Sequence, residues 1–131
     1  MKEARLKVLL LDYLKKNGWY ARKMNPFGNA GFPDIFAFKN GIFLGLELKQ
    51  AETFTAAEKA FTKIQRKNCS DILKAGGKFI LLASGRKKVF GYLWEYVGTE
   101  SVAQFTFSTL DLPKFLKKFE SFVIQRRGES C

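Results

Sequence analysis

The sequence predicts an α/β domain, a mixed central sheet flanked by helices. The expected core order is helix, strand, strand, strand, helix, strand, with one further strand and helix behind it. Three observations lead there. Apolar residues fall at helical spacing in segments separated by short strand-like runs, such as Leu6, Leu9, Leu10, Tyr13 and Leu14 before Trp19 to Met24. An Asn-Gly pair, Asn40-Gly41, sits between two such runs as a hairpin turn. The length of 131 residues supports one compact domain. Residues 1–131 are therefore assigned to a single domain, with a core over 1–96 and a strand-helix extension over 97–124.

Each element has its own justification. The first helix, Glu3 to Asn17, carries the Leu stripe and stops at Gly18 after Lys15, Lys16 and Asn17. Residues 25–31, Asn-Pro-Phe-Gly-Asn-Ala-Gly, read as a loop. Strands Asp34 to Phe38 and Ile42 to Gln50 form the hairpin. A second helix is expected from Thr55, where Thr55 and Glu58 have capping-box spacing, with Phe61, Ile64, Asn68, Ile72 and Leu73 facing inward and Gly76-Gly77 ending it. Phe79 to Ala83 reads as a buried strand, Val89 to Tyr96 and Val102 to Phe107 as further strands. Leu112, Phe115, Leu116, Phe119, Phe122 and Val123 make the stripe of a last helix with Pro113 near its start, and 125–131 should fray.

Composition excludes several classes of function. There is no His, which removes His-based acid–base catalysis, Ser-His-Asp nucleophiles and zinc sites built on imidazole. Cys69 and Cys131 lack metal-ligand or disulfide-framework spacing, and no apolar run reaches membrane-span length. A reduced cytoplasmic protein without a membrane segment is expected. Lys and Arg number 23 against 12 Asp and Glu, a net charge of +11, which points to a polyanion such as nucleic acid. Gly76-Gly77-Lys78 has no upstream GxxxxGK, so no nucleotide cofactor is expected.

The chemistry concentrates in the hairpin. Alternation puts Leu44, Leu46 and Leu48 on one face of their strand and Gly45, Glu47 and Lys49 on the other. A carboxylate and an ammonium on one face of an apolar strand are costly unless paired, exposed or used. Taken alone, the strand favours the plainer alternative, an exposed edge with a solvated ion pair. Asp34 reverses that preference, because the hairpin register carries it beside Glu47 to Lys49. Two carboxylates, with the Leu48 carbonyl between the strand's two polar side chains, suit Mg²⁺, a hard cation that takes few protein oxygens and completes its shell with water and phosphate. Lys49 would then support the charge developing on a phosphodiester.

Pro33-Asp34 followed by Glu47-Leu48-Lys49 resembles the PD-(D/E)XK nuclease motif, within the element order of the restriction-endonuclease-like fold. Glu3, Asn40-Gly41, Gln65 and Gly76-Gly77 extend the resemblance over most of residues 1–96. Within that superfamily the chain is similar to Holliday-junction resolvases, including the RecU-like group, and to VRR-NUC nucleases. The stretch from Lys49 through Thr53-Phe54 to Gln65 and Gly77 is more RecU-like, and Gly31 to Ile35 more like VRR-NUC or archaeal resolvases. It departs from RecU in lacking a long N-terminal arm and a central insertion. The resemblance implies Mg²⁺- or Mn²⁺-dependent cleavage of branched DNA by a homodimer, with Asp34, Glu47, Lys49 and Gln65 catalytic and Asp34, Glu47, the Leu48 carbonyl and Glu3 around the metal.

Two of these positions have a second reading from the residues themselves. Gln65 lies at the rim of its helix's inner stripe and could cap a core edge instead. Glu3 suits a helix's first turn and pairs in spacing with Lys7. Arg22, Lys23, Lys59, Lys63 and Lys67 are candidate phosphate contacts. Of the 14 Phe residues, Phe61, Phe115, Phe119 and Phe122 are in phase with helix cores, while Phe27 and Phe54, expected in loops, are the candidates for base stacking. The expected function is resolution of four-way junctions. The alternatives are a VRR-NUC-type activity on flaps or other branches, and a non-catalytic DNA-binding protein.

Overall fold

The computed structural model describes residues 2–24, 31–86, 88–94 and 101–108, together with Lys114, Lys117, Lys118 and Ser121. The elements are α1 (Glu3–Lys16), β1 (Tyr20–Lys23), β2 (Ile35–Lys39), β3 (Ile42–Gln50), α2 (Phe54–Ala60), α3 (Lys63–Lys74), β4 (Lys78–Ser84), β5 (Lys88–Trp94) and β6 (Ser101–Ser108). The six strands lie in sheet order as in sequence, β1 to β6. All neighbours are antiparallel except β3 and β4, which run parallel because α2 and α3 form the crossover between them. This mixed sheet with flanking helices is the expected α/β architecture. Of the last predicted helix, Leu112 to Val123, only Lys114, Lys117, Lys118 and Ser121 are described, each in helical conformation, and the 25–30 loop and the tail lie outside the described residues.

Local chemistry accounts for the boundaries. At the end of α1, Gly18 takes φ 87°, Trp19 N–H donates to the Leu14 carbonyl at 2.9 Å and Gly18 N–H to the Lys15 carbonyl at 3.3 Å, closing a Schellman motif. Lys39 Nζ adds a bond to the Asn17 carbonyl at 2.7 Å, where a cation also opposes the helix's negative end. The hairpin turn places Asn40 and Gly41 at φ 49° and 80°, both left-handed, as the mirror-image turn requires.

The helical segment after β3 corrects the sequence expectation. Instead of one helix from Thr55, two short helices meet at Phe61-Thr62. Thr53 caps α2 by accepting from Ala56 N–H at 3.1 Å. Thr62 and Gln65, not Thr55 and Glu58, make the capping box. The break turns α3 relative to the expected stripe, so Cys69 is its buried residue and Ile64, expected inward, is 55% exposed. Arg66 ties the two helices together, its Nη2 donating to the Glu58 carbonyl at 2.6 Å and Nε to the Phe61 carbonyl at 3.1 Å. Phe54 falls in α2 and not in a loop.

Two cores sandwich the sheet. Leu6, Leu10 and Leu14 of α1 pack with Leu44, Leu46, Leu48, Ile80 and Leu82 on one face. Ala57, Phe61 and Cys69 pack with Phe79, Leu81 and Ala83 on the other. Gly45 is what lets α3 approach: a Cβ there would stand 3.1 Å from Ile72 Cδ1 and from Pro33 Cγ, and 3.2 Å from Phe79.

Candidate active site

β2 begins at Ile35, opposite Leu46, so the next amide of β3 on that side, that of Leu48, has no strand partner. Asp34 takes its place. Its Oδ2 accepts from Leu48 N–H at 2.8 Å, while its own carbonyl accepts from Met24 N–H at 3.0 Å. The Leu48 carbonyl points to the same side as its N–H, since both groups of one strand residue face the same neighbour. The hairpin thus fixes Asp34 against Leu48, with Glu47 and Lys49 projecting from the same sheet face as Asp34.

β3 is an interior strand, which overturns the exposed-edge alternative. Glu47 is only 3% exposed. Gln65 Nε2 donates to its Oε1 at 3.3 Å, and Oε2 is buried without a hydrogen-bond partner. Burial first, then hydrogen bonding to Asp34 and the Asp34 charge, with a smaller push from Glu3, raise its carboxyl to about 9 against the pull of Lys49. With both carboxylates ionised no donor lies between them. A proton on Glu47 is the donor the pair can share.

Gln65 reaches Glu47 because of the helix break. As the third residue of α3 it bonds Thr62 twice, its N–H to the Thr62 hydroxyl at 3.2 Å and its Oε1 accepting from Thr62 N–H at 2.9 Å. This aims the remaining amide donor at Glu47. Gln65 therefore does two things at once: it closes the capping box of α3 and it touches the Glu47 carboxylate.

α1 closes the other side. Lys7 Nζ stands 3.7 Å from Asp34 Oδ1 with both side chains about three-quarters buried, at 25% and 23% exposure. Glu3, one turn earlier, has its carboxyl raised by burial and by Asp34, opposed by Lys7 and Lys49. The structure thus gathers Asp34, Glu47, Lys49, Gln65 and Glu3 into one neighbourhood. Sequence reasoning missed Lys7 as an Asp34 partner, because only folding brings α1 to the hairpin. It also missed Thr62, although Thr62-x-x-Gln65 carries the capping signature.

A divalent cation fits this donor set, and the observation that tests the fit is the orphaned, buried Glu47 Oε2 beside Asp34. Among the described residues no three Asp, Glu, Cys or His side chains are grouped so as to hold an ion by themselves. The set is the sparse kind that Mg²⁺ accepts, with water and phosphate completing its shell.

The five basic candidates do not form one patch. Alternation sends Arg22 and Lys23 to opposite faces of the sheet. Arg22 lies 4.4 Å over the Tyr20 ring and bonds the Ala21 carbonyl at 3.0 Å. Lys59 and Lys63 are exposed on α2 and α3, and Lys67 pairs with Asp71 at 3.9 Å.

No family model matches the chain, and no curated protein matches it. Among solved structures its fold is similar to that of a Holliday-junction resolvase. That protein is Hjc of the archaeal hyperthermophile Archaeoglobus fulgidus, at 19% identity and a TM-score of 0.46, covering 84% of this chain and 91% of the resolvase. No helix among the described residues is long and apolar enough to cross a membrane.

Proposed function

We propose that this chain is a divalent-metal-dependent endonuclease that hydrolyses phosphodiester bonds in branched DNA, with the four-way junction as its substrate. The observation that carries the reading is the buried Glu47 carboxylate, half satisfied by Gln65 and half unsatisfied, against Asp34 and beside Lys49. Facing Asp34, that unsatisfied oxygen is met only by a shared proton or by a cation, and two acids buried together carry a desolvation cost that a purely structural role does not require.

Asp34, Glu47 and the Leu48 carbonyl would hold Mg²⁺ or Mn²⁺, with Glu3 near enough to add charge. When bound, the ion supplies Lewis acidity toward the phosphate and lowers the pKa of water. The chain's own residues do the rest. Asp34 is locked through Oδ2 by the Leu48 amide, so its Oδ1, on the Lys7 side, keeps a fixed direction. Gln65 orients Glu47. Lys49 faces the site as a cation that stabilises negative charge building on the attacked phosphate. The surplus of basic side chains attracts the polyanion to the protein as a whole.

Resolution of a junction needs two coordinated cuts, and we place the activity in a homodimer. Labelled forks, flaps, duplexes and four-way junctions, incubated with and without Mg²⁺, test the proposal. Metal-dependent paired cuts in the junction support it. Preferential cutting of flaps would shift the assignment to a VRR-NUC-type activity. Tight binding without cleavage in Mg²⁺ or Mn²⁺ would leave a non-catalytic binding protein. A sedimentation result of monomer only, free and on a junction, would count against the resolvase.

A further inference from the structure

The sheet face that carries Asp34 and Glu47 does not end at α3. Beyond the helix, toward β1, the same face continues as an aromatic surface. The register places Tyr20, Phe38 and Phe43 side by side across β1, β2 and β3, and Arg22, Phe36 and Gly45 in the next row. Tyr20 is 62% exposed, Phe38 50% and Phe43 38%. Phe32, two residues before Asp34, adds a further ring at 43%. Phe36 and Phe43 contact each other at 5.2 Å between centroids. Between these rings and the C-terminal half of α3 opens a cleft of about 560 Å³, lined among others by Phe32, Phe36, Phe43, Asn68, Asp71 and Gly77. Gly77 packs tightly against two of the lining side chains: a Cβ there would stand 2.8 Å from Ile72 and 3.1 Å from the Phe43 ring.

We infer that this face holds unpaired bases of the nucleic-acid strand that enters the active site: one base in the cleft, its neighbours stacked over Phe43, Phe38 and Tyr20. The inference rests on the nuclease reading and names the part of the substrate that the site recognises. Flat, sequence-tolerant rings beside a cationic group are what single-stranded segments require, since every base offers a face to stack. The cleft has the volume of a small-molecule pocket, aromatic walls, and Asn68 and Asp71 as polar groups for a base edge. Phe36 is two residues from Asp34 on the same face, about 7 Å along the strand, so a strand lying on the rings leads to the carboxylates.

Charge and area favour nucleic acid over a second copy of the chain. A copy would press another body of net charge +11 against Arg22, whereas a polyanion matches both. A fully buried aromatic covers about 150–250 Å², so four half-exposed rings present on the order of 400 Å², half of the roughly 800 Å² each partner gives to a standard interface.

The test measures binding in EDTA, where metal-dependent cleavage cannot contribute. The probes are labelled short oligothymidylate, the same backbone without bases, and a duplex of equal length. Wild type should prefer the oligothymidylate over the abasic strand. Phe38→Ala and Tyr20→Ala should each weaken oligothymidylate binding about 5- to 150-fold, the range for losing one stacked base, with duplex binding unchanged within about twofold. Phe38→Trp should retain affinity. Both replaced side chains are at least half exposed, and circular dichroism checks that the fold persists. Equal binding of the abasic and base-bearing strands, or no effect of either alanine, overturns the inference. So does a variant that turns an oligomer into monomer in sedimentation while its affinity for the oligonucleotide stays the same, which would make the face a contact between copies. Failure of the nuclease reading shows separately, as a wild type that binds these strands as expected and cuts nothing in Mg²⁺ or Mn²⁺.

Discussion

The two faces of the sheet are made by the same strands and differ by one residue of offset. Toward α1, Leu44, Leu46 and Leu48 meet Leu6, Leu10 and Leu14, all of them fully buried. Toward α3, Gly45 admits the helix, Glu47 is buried with an empty acceptor, and Phe43 and Phe38 are left uncovered. A strand alternates with a strict period of two, so a central strand can give its even positions to stability and its odd positions to chemistry. Substitutions on the two faces should therefore separate folding from function.

The largest effect is expected on the polar face. Asp34→Asn keeps an oxygen that can accept from Leu48 N–H but loses the charge that attracts a cation. Metal-dependent cleavage should fall on the order of 10³-fold or more, while DNA binding holds or tightens as repulsion of phosphate is removed. Glu47→Gln should behave alike. Lys49→Ala should lose cleavage about 10²-fold or more with metal binding largely retained, because it removes support for developing charge and not a ligand. Quantified cleavage beside calorimetric Mg²⁺ binding separates the three. An Asp34→Asn protein that cuts at the wild-type rate would place the active site elsewhere.

The opposite face should give the converse result. Leu10→Ala deletes a fully buried side chain from the α1 core and should cost about 2–5 kcal/mol of stability. Cleavage below the melting transition should stay near normal. Urea unfolding and an activity assay on the same sample check this. Cleavage lost in proportion to stability would mean that the two faces are not separable.

A third measurement uses the proton on Glu47. Its folded pKa, about 9, lies above the ordinary 4.5, so the folded state binds this proton more tightly than the unfolded chain. The resulting stabilisation is complete below about 4.5 and is lost as pH rises toward 9. In EDTA, Glu47→Gln should therefore gain stability over wild type as pH is raised through that window. A cation needs the ionised form, so Mg²⁺ uptake at pH 7 should displace about one proton, and affinity should rise up to about tenfold per pH unit below 9. Calorimetry in buffers of different ionisation heat reads the released proton directly. Uptake with no proton release would show that Glu47 is not a ligand.

The two faces were not equally legible in sequence. Asn40-Gly41 set the hairpin, and the hairpin set the nearness of Asp34 to Glu47, because strand pairing from a two-residue turn is simple arithmetic. The Ile42 to Gln50 bounds matched for the same reason. Alternation shows that a strand has two faces but not which one a helix covers, so the exposure of Phe38 and Phe43 was invisible. The break at Phe61-Thr62 was hidden because Thr55-x-x-Glu58 and Thr62-x-x-Gln65 carry the same signature, and only packing decides between them. Lys7 reaches Asp34 across the fold, a contact with no local trace.

The smallest effect belongs to that break, where stability and chemistry meet in one side chain. Thr62→Ala removes the hydroxyl that accepts from Gln65 N–H and should cost about 1 kcal/mol, the usual loss for an N-cap. Gln65 Oε1 would still accept from the backbone N–H of residue 62, so the amide stays aimed at Glu47 and cleavage should fall less than about threefold. Gln65→Ala removes the reciprocal cap and the bond to Glu47 together. Its stability loss should be similar, but its cleavage should fall about tenfold, in line with losing one hydrogen bond to a charged group. Gln65→Glu keeps the capping box and replaces the donor with a carboxylate facing Glu47, so it should hold stability near neutral pH better than Gln65→Ala while cutting no faster. If Thr62→Ala and Gln65→Ala lose stability and cleavage in the same ratio, Gln65 acts only as a cap, and the chemistry of this face stops at Glu47.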